Sequence, residues 1–579
     1  MFVFDFEVFM HDWMVVFKDV YSGEYTKIVN NAEELKTFYG KNKKKIFFGY
    51  NNKSFDNIIF NAILSDVDPY STMILLFSGV NIFEVYKSLE IRWFPFASFD
   101  LMQDILGMSL KEAEGFMGMS IEESTVDFNL DRKLTEDELK DVLSYCIHDV
   151  DATAEFMKHR QGYIMNKMNV CKLFNLPLTS LNKTNASLAG TILNAKKQEH
   201  YDEFSYDLPE EVVIKNPKYK KILNLYVGRP LVYKDKLKID IAGIPHILAY
   251  GGIHGARENF QYKGELWQLD ATSYYPTLMI EYGYVSRNVK NPDDFKKLYY
   301  DRLEAKKNGD KAKSDALKLT LNTSYGAMKS EVNPLYDPKM ANQVCITGQL
   351  LFVDLIEKLE PYCKLVQSNT DGVLIIPYDK EKIDEVCEEW VKRTRVPLEK
   401  DIYKGIWQKD VNNYIMLDEK DRVTTKGGYV SQYQEYNPNR TRVFKNSARV
   451  IDVAICEYFI NNIPPEEYIM RNNDIKDFQI ITKTGHTFKE TYWEHKNGPI
   501  LVNKVNRVFA TKHTGYGKVY KVKEVDGENR RHNIASLPDH CYIDTEGTMD
   551  LKYVDKSWYI ETAKKRLDDF KGVARVSRK

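Results

Sequence analysis

The chain opens on a strict alternation, Phe2-Val3-Phe4-Asp5-Phe6-Glu7-Val8-Phe9. A period of two places Phe2, Phe4 and Phe6 on one face of a strand and Asp5 and Glu7 together on the other. So apolar a strand is expected at the centre of a sheet, where two bare carboxylates roughly 6–7 Å apart are costly to bury. Lys45–Tyr50 also reads as a strand, and Asn52-Lys53-Ser54-Phe55-Asp56 follows it. Helical periodicity takes over by about 100–160. Thr135 and Glu138 have the spacing of a capping box, and Leu139, Val142, Leu143, Cys146 and Ile147 then form an apolar stripe. Tyr145 and Asp149, four apart, flank that stripe, whereas His148 is expected to point away from it as a surface residue. An α/β module ending near residue 190 is predicted.

Residues 211–240 are dense in Lys and Arg, and a glycine turn, Tyr250-Gly251-Gly252, follows. Leu266–Leu269 reads as a strand ending at Asp270, after which Ser273-Tyr274-Tyr275-Pro276 turns into a helix with Pro276 in its first turn. From 290 to 330 the pattern is a helical hairpin bending at Asn308-Gly309-Asp310. Arg302 and Lys306 share a face of its first helix, and Lys318, Asn322 and Tyr325 share a face of its second. Asp-Gly between the apolar runs Lys364–Ser368 and Val373–Pro377 predicts a hairpin whose tip presents Asp371. The last 150 residues mix helices and short strands, and no internal repeat is found.

At 579 residues the chain exceeds one hydrophobic core, so two to four domains are expected. Seven Cys without a C-x-x-C pair read as reduced core thiols of an intracellular protein with no zinc site. No signal peptide or membrane-spanning run is predicted, and a cytoplasmic location is expected. The net charge of −1 conceals an asymmetry. Residues 1–150 hold 25 acidic and 14 basic residues, which leaves 58 and 68 for the remainder. An acidic front module thus precedes a basic body, and 38 Tyr offer surfaces on which bases stack.

Two groups of residues carry chemistry. Asp5, Glu7, Asp56 and Asp149, with Tyr145, come from three separated segments and suit phosphodiester hydrolysis with two cations. Oxygen ligands favour Mg²⁺ or Mn²⁺. Asp270 and Asp371 form a second acidic pair, beside a helical face whose Arg302, Lys306, Lys318 and Tyr325 suit a triphosphate and a base or sugar.

The first group resembles the D-x-E, N-x-x-F-D and Y-x-x-x-D exonuclease motifs of proofreading polymerases. Asp270-Ala271-Thr272-Ser273-Tyr274-Tyr275-Pro276-Thr277 is similar to the D-x-x-S-L-Y-P-S motif of family B DNA polymerases. Lys318–Gly326 is similar to K-x-x-x-N-S-x-Y-G, Asn369-Thr370-Asp371 stands where the family has D-T-D, and Tyr250-Gly251-Gly252 matches its Y-x-G-G linker. The six ordered catalytic motifs lie within roughly residues 1–430. The resemblance implies an RNase H-like exonuclease domain at 1–190. A right-hand polymerase would follow: linker and palm at 191–288, fingers at 289–330, palm again at 331–430, thumb and C-terminal region at 431–579. It implies Asp5, Glu7, Asp56 and Asp149 as one set of metal ligands and Asp270 and Asp371 as another, with two Mg²⁺ or Mn²⁺ in each site. It implies that Tyr145 positions water, that Asn52 and Phe55 hold the strand end, and that Tyr250, Gly251 and Gly252 contact template. Tyr275 would exclude ribonucleotides, Arg302, Lys306 and Lys318 would clamp the triphosphate, and Asn322 and Tyr325 would line the nucleotide pocket.

Some positions depart from the family. Asn369 replaces the first acid of D-T-D, and Asn412 replaces the lysine of a K-x-Y primer motif. Only Tyr414 carries over there, with Lys426 the candidate replacement for the phosphate contact. Asp270 and Lys318 are 48 apart, and Gly326 and Asp371 are 45 apart, which leaves little room for the insertions of protein-primed phage polymerases. The expected enzyme is a compact, phage-type, monomeric replicative polymerase, starting directly on its exonuclease. Its partners would be primer–template DNA, dNTPs and replisome accessory proteins. Two alternatives stay open: an exonuclease only, or a non-catalytic protein of the replisome that binds single-stranded DNA. A reverse transcriptase is disfavoured because Asn-Thr-Asp-Gly is not a paired Asp-Asp. Segment 505–550 has no readable role. Lys564, Lys565, Arg566, Lys571, Arg575, Arg578 and Lys579 suit DNA contact or a solvated tail equally.

Overall fold

The computed structural model describes residues 1–105, 107–434 and 446–573, in a mixed α/β architecture of two compact units. One comprises residues 1–184, 434–451 and 469–560; the other comprises 185–433, 452–468 and 561–579.

The first unit begins with five strands: β1 (Phe2–Val8), β2 (Trp13–Asp19), β3 (Tyr25–Val29), β4 (Ile46–Gly49) and β5 (Ala97–Asp100). Their order is β3-β2-β1-β4-β5, and β2 alone runs against the others, which is the RNase H-like arrangement. The opening alternation makes β1 central. Phe2, Phe4, Phe6 and Val8 pack with Val15, Phe17, Phe47 and Phe60 in one core layer. The helices α1 (Ala32–Asn42), α2 (Asp56–Leu64), α3 (Pro69–Phe77) and α4 (Ile82–Ser88) follow in the first half of this unit. Val3 packs with Cys146 and Val150 in the layer on the opposite face of the sheet. That second layer is built by α5 (Leu110–Met117), α6 (Glu136–His159) and α7 (Gln161–Leu173). Both α5 and α6 start on complete capping boxes, Ser109 with Glu112 and Thr135 with Glu138. Asp5 and Glu7 therefore face α6.

In the second unit, nine antiparallel strands form one sheet: β6 (Leu237–Ile241), β7 (Ile244–Ala249), β8 (Gly252–Ala256), β9 (Phe260–Ala271), β10 (Cys363–Asn369), β11 (Gly372–Pro377), β12 (Leu398–Asp410), β13 (Asn413–Asp418) and β14 (Val423–Lys426). Their order is β14-β13-β12-β9-β11-β10-β8-β7-β6. Its helices include α8 (Asn185–Ile192), α9 (Pro217–Lys220), α10 (Tyr274–Glu281), α11 (Pro292–Lys307), α12 (Lys311–Ala327) and α13 (Pro338–Leu359). The α11–α12 hairpin bends at Asn308-Gly309-Asp310 as the pattern predicts. Helix α13 is buried along nearly its whole length, and its first turn is fixed by Asp337, which caps Met340 and pairs with Arg287.

Residues 480–543 return to the first unit as two small sheets, one of three strands and one of four. They are tied in by Lys483 on Glu112 at 2.7 Å and by buried Arg507, which donates to the Met119 carbonyl at 2.6 Å. Segment 505–550 is thus part of this unit, and residues 431–579 are divided between the two. In the second unit Arg566 pairs with Asp452 at 2.8 Å and Lys564 with Glu466 at 3.3 Å. These two basic residues are engaged within the protein. Arg575, Arg578 and Lys579 lie outside the described residues. Among the described residues no helix is long and apolar enough to cross a membrane.

Removing the Thr135 cap tests how firmly α6 is anchored. Thr135→Ala is expected to lower the stability of the first unit by about 1 kcal/mol in a denaturant melt. Glu138→Gln keeps the Thr135 cap but weakens the reciprocal bond and loses the surface ion pair with Arg132, and should cost less than Thr135→Ala.

Candidate active sites

Asp5 and Glu7 project from β1 toward α6, close enough that one oxygen of each lies within 4.8 Å of the other and of the Cys146 sulfur. Asp56 opens α2, is buried, and accepts the Phe6 N–H at 3.0 Å, which locks it to the same strand. Asp149 comes from α6 and is buried as well. Burial, followed by the charges of Asp56, Glu7 and Asp149, pushes the Asp5 carboxyl well above the ordinary range. Burial and the charges of Asp149 and Asp56 do the same to Glu7. Asp56 is pushed up to about 7 by burial, although the Phe6 N–H opposes the shift. The sequence-predicted acids thus converge, and each acts on the others.

Lys111, on α5, is a member of this cluster that the sequence reading missed. Its buried ammonium donates to Asp149 and, at 3.1 Å, to Glu114, and lies 4.6 Å from the centre of the Tyr145 ring. It holds the Asp149 carboxyl down against the upward effect of burial. The Ser109 capping box was the available signal, because it sets a helix start two residues before Lys111. His148 corrects an expectation. It is not a surface residue but is half-buried, 3.6 Å from Glu114 and 3.4 Å from Glu122, because α5 packs beside α6. Asn52 is also turned inward. It is fully buried and donates to Ser98 Oγ at 2.6 Å and Asn57 Oδ1 at 3.1 Å, so it braces the loop. Phe55 remains half-exposed and stacks on Phe77. Asp100, not singled out from the sequence, fixes the same loop by accepting the Asn51 N–H at 2.9 Å.

In the second unit Asp270 and Asp371 lie side by side. Gly372 is opposite Asp270 in the β9–β11 register, and the Ala271 N–H donates to the Asp371 carbonyl at 2.8 Å. Gly372 is required here, since a Cβ at that position would run into the Asp270 carboxylate. Gly252, at φ +145°, also packs closely on Thr370, so the Tyr250-Gly251-Gly252 turn is set against the hairpin tip. Burial and the Asp371 charge push Asp270 up to about 6, against a 2.6 Å bond from the Gln268 amide.

A cavity of about 790 Å³ opens beside this pair. Asp371, Thr370, Gly251 and residues 271–276 line it, together with Arg302, Lys306, Lys318, Asn322 and Tyr325 from the helical hairpin. Every sequence-predicted nucleotide-binding residue therefore faces one space. The Tyr275 and Tyr325 rings are 4.3 Å apart, and Arg302 donates to Ser273 Oγ at 2.6 Å while its buried Nε has no partner. Lys329 and Glu399 also line the cavity and were not foreseen; Lys329 lies over the Tyr325 ring and Glu399 is 3.8 Å from Lys306. Tyr250 packs edge-on against Tyr226 and Tyr233 and accepts the Val232 N–H at 3.2 Å. Tyr414 pairs with Lys426 across β13 and β14, and the Lys426 ammonium lies 5.7 Å from its ring. The turn at Gly427 closes against the Asn412 carbonyl.

Both acidic groups fit a hard divalent cation. The donors are carboxylate oxygens, and Asn369, two residues before Asp371, keeps a buried Oδ1 with no hydrogen-bond partner.

Among models of protein families, none matches this chain. A segment of 152 residues, 25% of the chain, is 26% identical to DNA polymerase 1 of Saccharolobus solfataricus and spans 16% of that protein. Among solved structures, the family B DNA polymerase of the hyperthermophilic archaeon Pyrobaculum calidifontis aligns with a TM-score of 0.43 and 14% identity. The alignment covers 100% of this chain and 78% of that one.

The raised carboxyls have a thermodynamic signature. Because the folded state holds protons more tightly than the unfolded one, stability without metal should fall as pH rises from the ordinary carboxylate range near 4 to about 7, where Asp56 titrates. A bound cation removes that penalty. Thermal melts in chelator should show the decline, and added Mg²⁺ should raise Tm more at pH 8 than at pH 5.

Proposed function

We propose that this chain is a DNA-templated DNA polymerase of the family B type, with a 3′–5′ exonuclease site in its first unit. The observation that carries the proposal is the pairing of Asp270 with Asp371 beside a cavity also lined by Arg302, Lys306 and Lys318. An acidic pair and three cations around one space match a triphosphate whose α-phosphate is attacked while its β- and γ-phosphates leave. The name of the matched archaeal relative agrees with that chemistry.

In this reading Arg302, Lys306 and Lys318 hold the triphosphate, and their charge offsets that developing on the departing pyrophosphate. Tyr275, packed on Tyr325, sits under the sugar and excludes a 2′-hydroxyl, and Asn322 and Tyr325 border the base. Tyr250, Gly251 and Gly252 present backbone to the template, and Tyr414 with Lys426 holds the primer end. Bound between Asp270 and Asp371, Mg²⁺ or Mn²⁺ would lower the charge barrier to attack by the primer 3′-hydroxyl. In the first unit Asp5, Glu7, Asp56 and Asp149 would hold the same cations, Tyr145 orients water, and Lys111 fixes Asp149. An unpaired primer end is the preferred substrate there, since no base pair has to be broken. The compact spacing between motifs favours a phage-type replicative enzyme extending a nucleic-acid primer.

Asn369 favours one second reading, a nuclease whose synthetic half has decayed. A labelled primer with a mismatched end separates the two. Wild type with dNTPs and Mg²⁺ should trim the mismatch and then extend, and Asp5→Ala should fail to trim. Asp371→Ala should only shorten the primer, with synthesis reduced at least about 1,000-fold. Asn369→Asp should retain synthesis, because Asp371 supplies the ligand. A wild type that never extends a matched primer leaves only the nuclease, and equal loss from Asp371→Ala and Asn369→Asp overturns the assignment of Asp371.

A further inference from the structure

Next to the acidic cluster of the first unit lies an apolar surface that its chemistry does not use. Phe77, the last residue of α3, is 72% exposed although it is a large aromatic. Its ring is nearly parallel to that of Phe55, with planes 9° apart and centroids 5.7 Å apart. Phe55 immediately precedes buried Asp56, so the stacked pair runs from the acids out to solvent. Ile74, three residues earlier on the same helix, is 47% exposed, and Ile82 and Phe83 at the start of the neighbouring α4 are 39% and 75% exposed. Large apolar side chains this exposed on two helices that pack together make an apolar strip suited to binding.

We infer that Phe77 is a stacking platform for the bases of an unpaired DNA 3′ end, extending outward the contact made by Phe55. Three observations select this occupant. Phe77 is stacked on Phe55 and through it adjoins the acids. The exposed element is an aromatic ring already stacked on another, and aromatic rings accept any base, as a nuclease acting on every sequence needs. Lys53, two residues before Phe55, is exposed and makes no ion pair among the described residues, so it can meet the backbone phosphates. The inference rests on the nuclease reading and adds to it a determinant for strands longer than the residue being cut.

The test compares a long and a minimal substrate in Mg²⁺. Oligo(dT) spans cluster and platform, whereas thymidine 5′-p-nitrophenyl phosphate reaches the cluster alone. Phe77→Ala should lower kcat/KM on oligo(dT) by about 5- to 100-fold, mainly through KM, the range that loss of one base–aromatic stack gives. Hydrolysis of the small ester should be unchanged, which also shows that the variant is folded. Phe77→Trp should restore the oligonucleotide rate. An oligo(dT) rate unaffected by Phe77→Ala, in a chain whose wild type digests it and whose Asp5→Ala variant does not, overturns the platform and leaves the strip to a protein partner. A wild type that cleaves neither substrate removes the nuclease reading itself, and the platform with it.

Discussion

Carboxylates placed beside one another repel, and one that is buried also loses the solvation that would screen its charge. Both units of this protein are organised around that cost. In the first, a strand apolar enough to be central carries Asp5 and Glu7 on the face it turns to α6, and Asp56 is locked to the same strand through the Phe6 amide. In the second, a two-residue turn brings Asp371 to the end of β9 beside Asp270, and Gly372 leaves the room that the neighbouring carboxylate needs. The fold does not relieve the repulsion but fixes it in place, as the raised carboxyls record. A stored electrostatic demand of this kind suits a divalent cation.

Much of this arrangement was legible in the chain because it depends on local rules. Alternation placed β1, a capping box placed α6, and Asp-Gly placed the hairpin tip, each within a few residues. Spacings of four and seven put Lys318, Asn322 and Tyr325 on one face, and that face lines the cavity. What local rules cannot supply is the neighbour across a gap. Whether His148 meets water or Glu114 depends on where α5 packs, and no pattern within α6 encodes that. Asn52 lies in a loop whose polarity suggests exposure, yet Ser98, far along the chain, draws its amide inward. Lys111 reads as an ordinary helical lysine until tertiary packing sets it between Asp149 and Glu114. The same limit applies to the C-terminal third. Its short strands were visible in outline, but their attachment to the first unit through Lys483 and Arg507 was not.

The two acidic sites also differ in how their charge is offset, and the difference follows from where the cations sit. In the first unit the compensating charge is built in: Lys111 is buried, held by two carboxylates, and lies over Tyr145. That single ammonium serves Asp149 and Glu114 and leaves Asp5, Glu7 and Asp56 with their mutual repulsion. In the second unit Lys306 is largely exposed and Arg302 leaves a buried Nε–H without a partner, so positive charge stands ready around a large cavity. A cavity of about 790 Å³ lined by such groups suits a ligand that brings its own negative charges. Arg302 already donates to Ser273 Oγ, and Lys306 lies 3.8 Å from Glu399 on β12, so the protein partly orders these cations without neutralising them. Incomplete satisfaction of this kind selects by penalty: a buried donor left unpaired disfavours any occupant that cannot accept from it.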